Sequence, residues 1–209
     1  VNVSIDTFTN AVELPGITVG ADPKSIVINR AGTRAYVVNE TSDSLMVINV
    51  ATRTVMATVP LGSSPSDVAV SPGGTELYVS DRVDDTVRVL SAALAEDGTP
   101  GNELLATVSV GNAPSALALG PDGATLLVAN ADNNTVAVVD VTRPGESGCA
   151  GCSATGWCPA GVAVDDLPDR VLPLDRHVVR RRVRQRERGD HRAERHRGPE
   201  DAERDHERL

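Results

Sequence analysis

Residues 111–140 read GNAPSALALGPDGATLLVANADNNTVAVVD. Three short apolar runs (SALAL, TLLVA, TVAVV) are separated by the turn GPDG and the polar loop ADNN. In GPDG proline stands second and glycine fourth, as a type I turn prefers, because proline presets its own φ near −65°. Apolar runs of this length, rich in β-branched residues, are strands. Strands joined by such short turns must run antiparallel. The stretch therefore predicts a meander that opens at a Gly-x-x-Pro loop.

The pattern recurs. Gly-x-x-Pro occurs as GADP at 20–23, GSSP at 62–65, GNAP at 111–114 and GWCP at 156–159, at spacings of 42, 49 and 45 residues. Apolar residues follow each proline at the third and fifth positions: Ile26/Ile28, Val68/Val70, Leu117/Leu119 and Val162/Val164. The ninth position is Gly32, Gly74 and Gly123 in three units and Pro168 in the fourth, where the register is lost. Units one and two end in a further run, TVMATVPLG and LLATVSVG. Many strands are apolar at adjacent positions, so both sheet faces need cover. Four-stranded antiparallel sheets of about 40–45 residues, stacked face to face, make a β-propeller.

The blade count is incomplete. Residues 1–20 match only the last half of a unit. The third unit shows no fourth strand, because TRPGESGCAGCSATG (142–156) carries no apolar run, and the fourth offers only its first strand. The expected fold is all-β: an incomplete β-propeller of about three and a half four-stranded antiparallel blades over 1–166, open at both ends. An uncovered end blade exposes roughly five aliphatic side chains, each contributing about 1.5–3 kcal/mol when buried. That is on the order of the whole stability of a domain, about 5–15 kcal/mol. The remaining blades or a second copy of the chain are therefore expected to close the ring.

Composition agrees. Hydrophobic residues make up 40% of the chain, yet only Phe8, Tyr36, Tyr78 and Trp157 are aromatic, so the core must be aliphatic. Residues 1–175 hold 8 Lys/Arg against 21 Asp/Glu, which disfavours nucleic acid as a partner. Residues 176–209 hold 12 Arg against 8 Asp/Glu, with all four His. Residues 167–209 are expected to be a disordered, Arg-rich C-terminal tail. Its texture, rich in arginine and nearly free of aliphatics, is that of a GC-rich gene read in a shifted frame. No apolar run reaches the length of a membrane span.

PSDVAVSPGGTELYVSD (65–81) and PSALALGPDGATLLVANADNNTVAVVDV (114–141) resemble the YVTN-type propeller repeat, named for its second strand. Matching positions are Tyr36–Asn39 (YVVN), Tyr78–Asp81 (YVSD) and Leu127–Asn130 (LVAN). The resemblance implies a seven-bladed ring and an extracellular, cell-surface or periplasmic location in a bacterium or archaeon. The WD dipeptide of another propeller class is missing.

No catalytic residue is assigned. Cys149, Cys152 and Cys158 form a C-x2-C-x5-C cluster without a fourth zinc ligand, and no metal or cofactor is expected. In GCSATG (151–156) Thr155 stands where a nucleophile elbow needs glycine, and no histidine precedes His177. The run RRRVRQRER (180–188) lacks aromatics for stacking on nucleic acid. Strand alternation does place the second-to-third loops and the Gly-x-x-Pro loops at one end of the sheets. That face collects Asp43, Asp84, Asp85, Asp132, Asn133 and Trp157, the candidate binding residues for a protein or small-molecule ligand. Asp and Asn also form turns for purely local reasons.

The function expected first is thus a non-catalytic propeller module, a scaffold or binding domain of an extracytoplasmic protein. The alternative is the propeller part of an enzyme. NADNNTVAVVDVTRPGES…TGWCPAGVAV resembles the propeller of secreted two-domain phosphoesterases, in which a GWYP loop occurs, with Cys158 here in place of the tyrosine. The catalytic domain of such enzymes would lie downstream. A sugar-lactone hydrolase propeller ranks third.

Overall fold

In the computed structural model of the chain, residues 2–3, 16–94, 98, 100–143, 148–155, 158–164 and 171–174 are described. Three sheets of four strands each run in strict sequence order, every neighbour antiparallel. A two-stranded piece, β1 (Asn2–Val3) with β2 (Ile17–Thr18), precedes them. The first full sheet is β3 (Pro23–Ile28), β4 (Arg34–Asn39), β5 (Ser44–Asn49) and β6 (Thr54–Pro60). The second is β7 (Pro65–Val70), β8 (Glu76–Asp81), β9 (Thr86–Ser91) and β10 (Leu104–Ser109). The third is β11 (Pro114–Leu119), β12 (Thr125–Asn130), β13 (Thr135–Asp140) and β14 (Gly148–Ala154). A second two-stranded piece pairs β15 (Gly161–Val164) with β16 (Val171–Leu174). The incomplete, all-β propeller read from the repeat is therefore the observed architecture.

Two details depart from the expected count. The third blade does have a fourth strand: β14 pairs with β13 from Thr135↔Ala154 to Asp140↔Gly148. Its sequence, GCAGCSA, has no long apolar run because this outermost strand is held by the backbone ladder, and Gly151–Ala154 face solvent. The fourth unit likewise gains a second strand, β16, which carries the pairing beyond residue 166. Residues 175–209, most of the expected tail, lie outside the described residues.

In each of the three four-stranded blades the hairpin between the first and second strands closes on a glycine amide. The amide of Gly74 donates to the Ser71 carbonyl at 2.8 Å, that of Gly32 to Asn29 at 2.8 Å, and that of Gly123 to Gly120 at 2.9 Å. All three glycines have φ of about 70°, a left-handed conformation that completes a type I turn with a bulge and favours glycine.

The cores lie between blades. Adjacent residues of one strand point to opposite neighbours: Leu77 packs with Tyr36, Val38, Leu45 and Val47 of the first blade, while Tyr78 packs with Leu117, Leu126 and Val128 of the third. Leu77 and Tyr78 are 0% and 1% exposed, so side chains on both faces of the middle sheet are buried. Val19 and Ile17 cover Ala35, Val37 and Ile48 on the leading flank, and Val162 covers Leu127, Ala129 and Val136 on the trailing one. The first strands β3, β7, β11 and β15 touch in succession, forming the inner wall of the arc. On β3 the alternate residues Ile26 and Ile28 remain 43% and 42% exposed.

Candidate functional site

The face built by the second-to-third loops is organised by one repeated device. The last residue of each such loop is Asp43, Asp85 or Asn134, with φ of 45°, 57° and 55°. Short polar side chains tolerate this left-handed conformation better than most. From there each side chain reaches the next blade's Gly-x-x-Pro loop and accepts its pre-proline amide. Asp43 Oδ1 receives Ser64 N at 2.8 Å, Asp85 Oδ1 receives Ala113 N at 2.8 Å, and Asn134 Oδ1 receives Cys158 N at 2.6 Å. The pre-proline residues are themselves left-handed, at φ 64°, 51° and 48°. The two loop sets thus share one end of the sheets, and the brackets fasten blade to blade.

Beneath the brackets sits the residue that ends each second strand: Asn39, Asp81 and Asn130, all 1% exposed or less. The Gly-x-x-Pro glycine lies directly on this side chain. A Cβ on Gly20 would come within 2.7 Å of Asn39 Cγ, and one on Gly111 within 2.7 Å of Asn130 Nδ2; one on Gly62 would overlap Arg88 and Asp81. Here glycine is required by close approach. The amide nitrogens of Asn39 and Asn130 donate to Ser44 Oγ and Thr135 Oγ1, both at 3.2 Å. Their Oδ1 atoms are buried with no hydrogen-bond partner among the described residues.

Charge is distributed unevenly over this face. Arg88 bridges Asp81 at 3.3 Å and Asp84 at 3.1 Å. Burial nonetheless pushes the Asp81 carboxyl above its ordinary range. In the first blade Lys24 pairs with Glu40 at 2.7 Å and Asp22 at 3.0 Å. Hydrogen bonds from Lys24 and then Ser64 hold Glu40 below the usual carboxylate range, and Glu40 and Asp22 raise Lys24. Toward the inner wall, Ser66 Oγ donates to the Pro114 carbonyl at 2.6 Å and Ser115 Oγ to that of Pro159 at 3.0 Å. Asp67 Oδ2 accepts Leu117 N at 2.7 Å.

Of the six candidate residues, five are described, and all five lie on this end of the sheets. Asp43 and Asp85 act as brackets. Asp84 holds Arg88. Asp132, which is exposed, donates its amide to the Asn112 carbonyl at 3.3 Å. Asn133 Oδ1 accepts Thr135 Oγ1 at 3.1 Å beside Gly111. Trp157 lies outside the described residues. Sequence reasoning overlooked Asn39, Asp81, Asn130, Ser66, Asp67 and Ser115 as site-building residues. The recurrence of Asn or Asp at the end of each second strand was the signal for the first three. Among the described residues no group of three or more His, Cys, Asp or Glu is placed to hold a metal ion.

A family model described as lactonase, seven-bladed β-propeller, matches residues 5–151. No curated protein matches the chain. Among solved structures it is similar to the periplasmic gluconolactonase of Pseudomonas aeruginosa, at 22% identity and a TM-score of 0.59, over 70% of this chain and 43% of that one. It is also similar to a functionally unknown protein from Desulfotomaculum acetoxidans, at 18% identity and 0.64, over 78% and 53%. A third match is hydrazine synthase of Kuenenia stuttgartiensis, at 24% identity and 0.60, over 76% and 42%. The chain thus spans roughly half the length of these structures or less, and at such identities they report the fold alone. The family match covers most of the chain and all three complete blades but for the last strand's final residues. The chain belongs to the lactonase family of seven-bladed β-propellers.

Proposed function

We propose that this chain is a non-catalytic binding segment of an extracytoplasmic propeller, its loop face presenting Asp84, Asp132 and Asn133 to a small polar ligand or a protein. The observation that carries this is the set of inter-blade brackets. Asp43, Asp85 and Asn134 are consumed in fastening blades, which leaves a rigid platform with the other polar side chains above it. The YVTN-type second strands and the periplasmic location of one structural relative support placement outside the cytoplasm. The half-exposed Ile26 and Ile28 mark the flank on which further blades or a second copy pack.

The test joins assembly and binding. Replacing Ile26 and Ile28 together by lysine is expected to abolish concentration-dependent self-association in analytical ultracentrifugation. A wild-type chain that stays monomeric at high concentration would defeat the closure by a second copy. Asp132→Ala with Asn133→Ala is expected to abolish ligand capture while leaving the unfolding midpoint unchanged.

The family match favours a second role, as part of a hydrolase. The lactonase description points to ring opening of a sugar lactone by the complete propeller. The GWCP loop at 156–159 points to phosphoester cleavage by a further domain. Assay of the full-length protein against glucono-δ-lactone and against p-nitrophenyl phosphate separates the two, and inactivity on both leaves the binding role standing.

A further inference from the structure

At the opposite end of the sheets, where first and second strands turn, the blades meet along radial grooves. The internal repeat allows two successive grooves to be compared position by position. Arg34 opens β4 and Glu76 opens β8, so the two residues are equivalent. Ala92 follows β9 and Val141 follows β13; both donate their amides to the turn of their own blade, Ala92 N to Thr75 O at 2.8 Å and Val141 N to Ala124 O at 2.9 Å. Tyr36 and Tyr78 occupy the same place in consecutive blades.

Between the first and second blades the groove is plugged by the chain itself. The Arg34 guanidinium crosses the interface and donates to the Ala92 carbonyl at 2.6 Å. The Tyr36 hydroxyl is sealed off, buried without a partner among the described residues. Between the second and third blades the plug is gone. Glu76 turns aside to accept Thr75 Oγ1 at 2.7 Å, and a cleft of about 410 Å³ opens, lined by Ser71, Glu76, Tyr78, Asp122, Val141 and Thr142. Tyr78 is 1% exposed and lines this cleft. Asp122 uses one oxygen on its own turn, accepting Ala124 N at 2.9 Å, and is exposed to the cleft.

The second groove therefore repeats the backbone positions that flank a guanidinium one blade earlier, with a carboxylate where the arginine was. We propose that the groove between the second and third blades binds a guanidinium group, seated against the Val141 carbonyl and the Glu76 and Asp122 carboxylates, in the place Arg34 fills in the preceding groove. Planar N–H forks pair well with carboxylates, and a guanidinium is weakly hydrated enough to enter a partly buried cleft. Burial, and then the Glu76 charge, pushes the Tyr78 phenol up to about 12, so it stays neutral and its oxygen serves as one more acceptor. The charge balance of residues 1–175, 8 Lys/Arg against 21 Asp/Glu, favours a cation.

The test is an amide chemical-shift titration of the full chain with ethylguanidinium at millimolar concentrations, with ethylurea as the neutral isostere. Saturable shifts at Tyr78, Ala124, Val141 and Thr142 are expected with the cation and not with ethylurea. Glu76→Gln should weaken binding by about tenfold, the scale of one charge-assisted contact. Glu76→Arg, which restores the plug, should abolish it while keeping the folded spectrum. A capped Gly-Arg-Gly peptide separates the sources: tighter binding than ethylguanidinium assigns the groove to a polypeptide arginine, equal binding to a free guanidinium compound. Equal shifts with ethylurea, shifts that ignore both Glu76 substitutions, or no shifts at all would overturn the proposal.

Discussion

Replacing Asp85 tests whether the brackets hold the propeller together. Its Oδ1 accepts Ala113 N across the blade interface at 2.8 Å. A hydrogen bond to a charged group contributes about 1.5–3 kcal/mol, and partial exposure places this one toward the lower end. Asp85 also sits at φ 57°, where its own Cβ already crowds the backbone, so alanine adds no Cβ strain and loses chiefly the bracket. Asp85→Ala should therefore destabilise the chain by roughly 1.5–3 kcal/mol. Asp85→Gly removes the bracket but not the backbone fit, and should fall between alanine and the parent. Asp85→Asn keeps an acceptor and should cost under about 1 kcal/mol, because Asn134 makes the same bracket one blade on. Urea unfolding followed by circular dichroism measures all three. If asparagine is as damaging as alanine, or alanine is neutral, the brackets do not carry the interface.

Three other outcomes are expected. Gly111→Ala should lower the urea midpoint by the equivalent of about 1–3 kcal/mol, since its Cβ meets a fully buried Asn130 that has nowhere to move; Asn130→Ala in the same chain should restore part of the loss. Burial shifts both tyrosines upward, Tyr78 to about 12, so the tyrosinate absorbance of the folded chain should lag behind that of the unfolded chain and be completed only near pH 12. A raised folded pKa means that this contribution to stability is complete below about pH 10 and is lost as pH climbs toward 12, so alkaline unfolding should coincide with tyrosinate appearance. Ser66→Ala should weaken the inner wall by about 0.5–1.5 kcal/mol through loss of its bond to the Pro114 carbonyl, read as a midpoint shift without a change in slope.

Strand order, turn positions and the two-sided cores were legible because each is written in a local, repeated pattern. Gly74 after a proline turn or Leu77 beside Tyr78 needs only a few residues to be read. The fourth strand of the third blade was not legible, because GCAGCSA forms a strand through its backbone ladder with β13 and leaves no apolar trace. The candidate face was found by strand direction, but the work of its residues was not. That Asp43 and Asp85 spend their carboxylates on a neighbouring backbone depends on how the next blade is placed, and no spacing along the chain states it. Sequence reasoning ranked a lactone-hydrolase propeller third, because the side chains such an enzyme needs could not be located along the repeats.

The alternation of Leu77 and Tyr78 toward different neighbours has a consequence for how such a chain tolerates change. Each seam is filled by side chains from two units, and consecutive positions in one strand answer to different seams. A swapped or duplicated blade must therefore match two strangers at once, with odd and even positions judged separately. Substitutions that compensate one another should be found across a seam, and seldom within the blade that carries them.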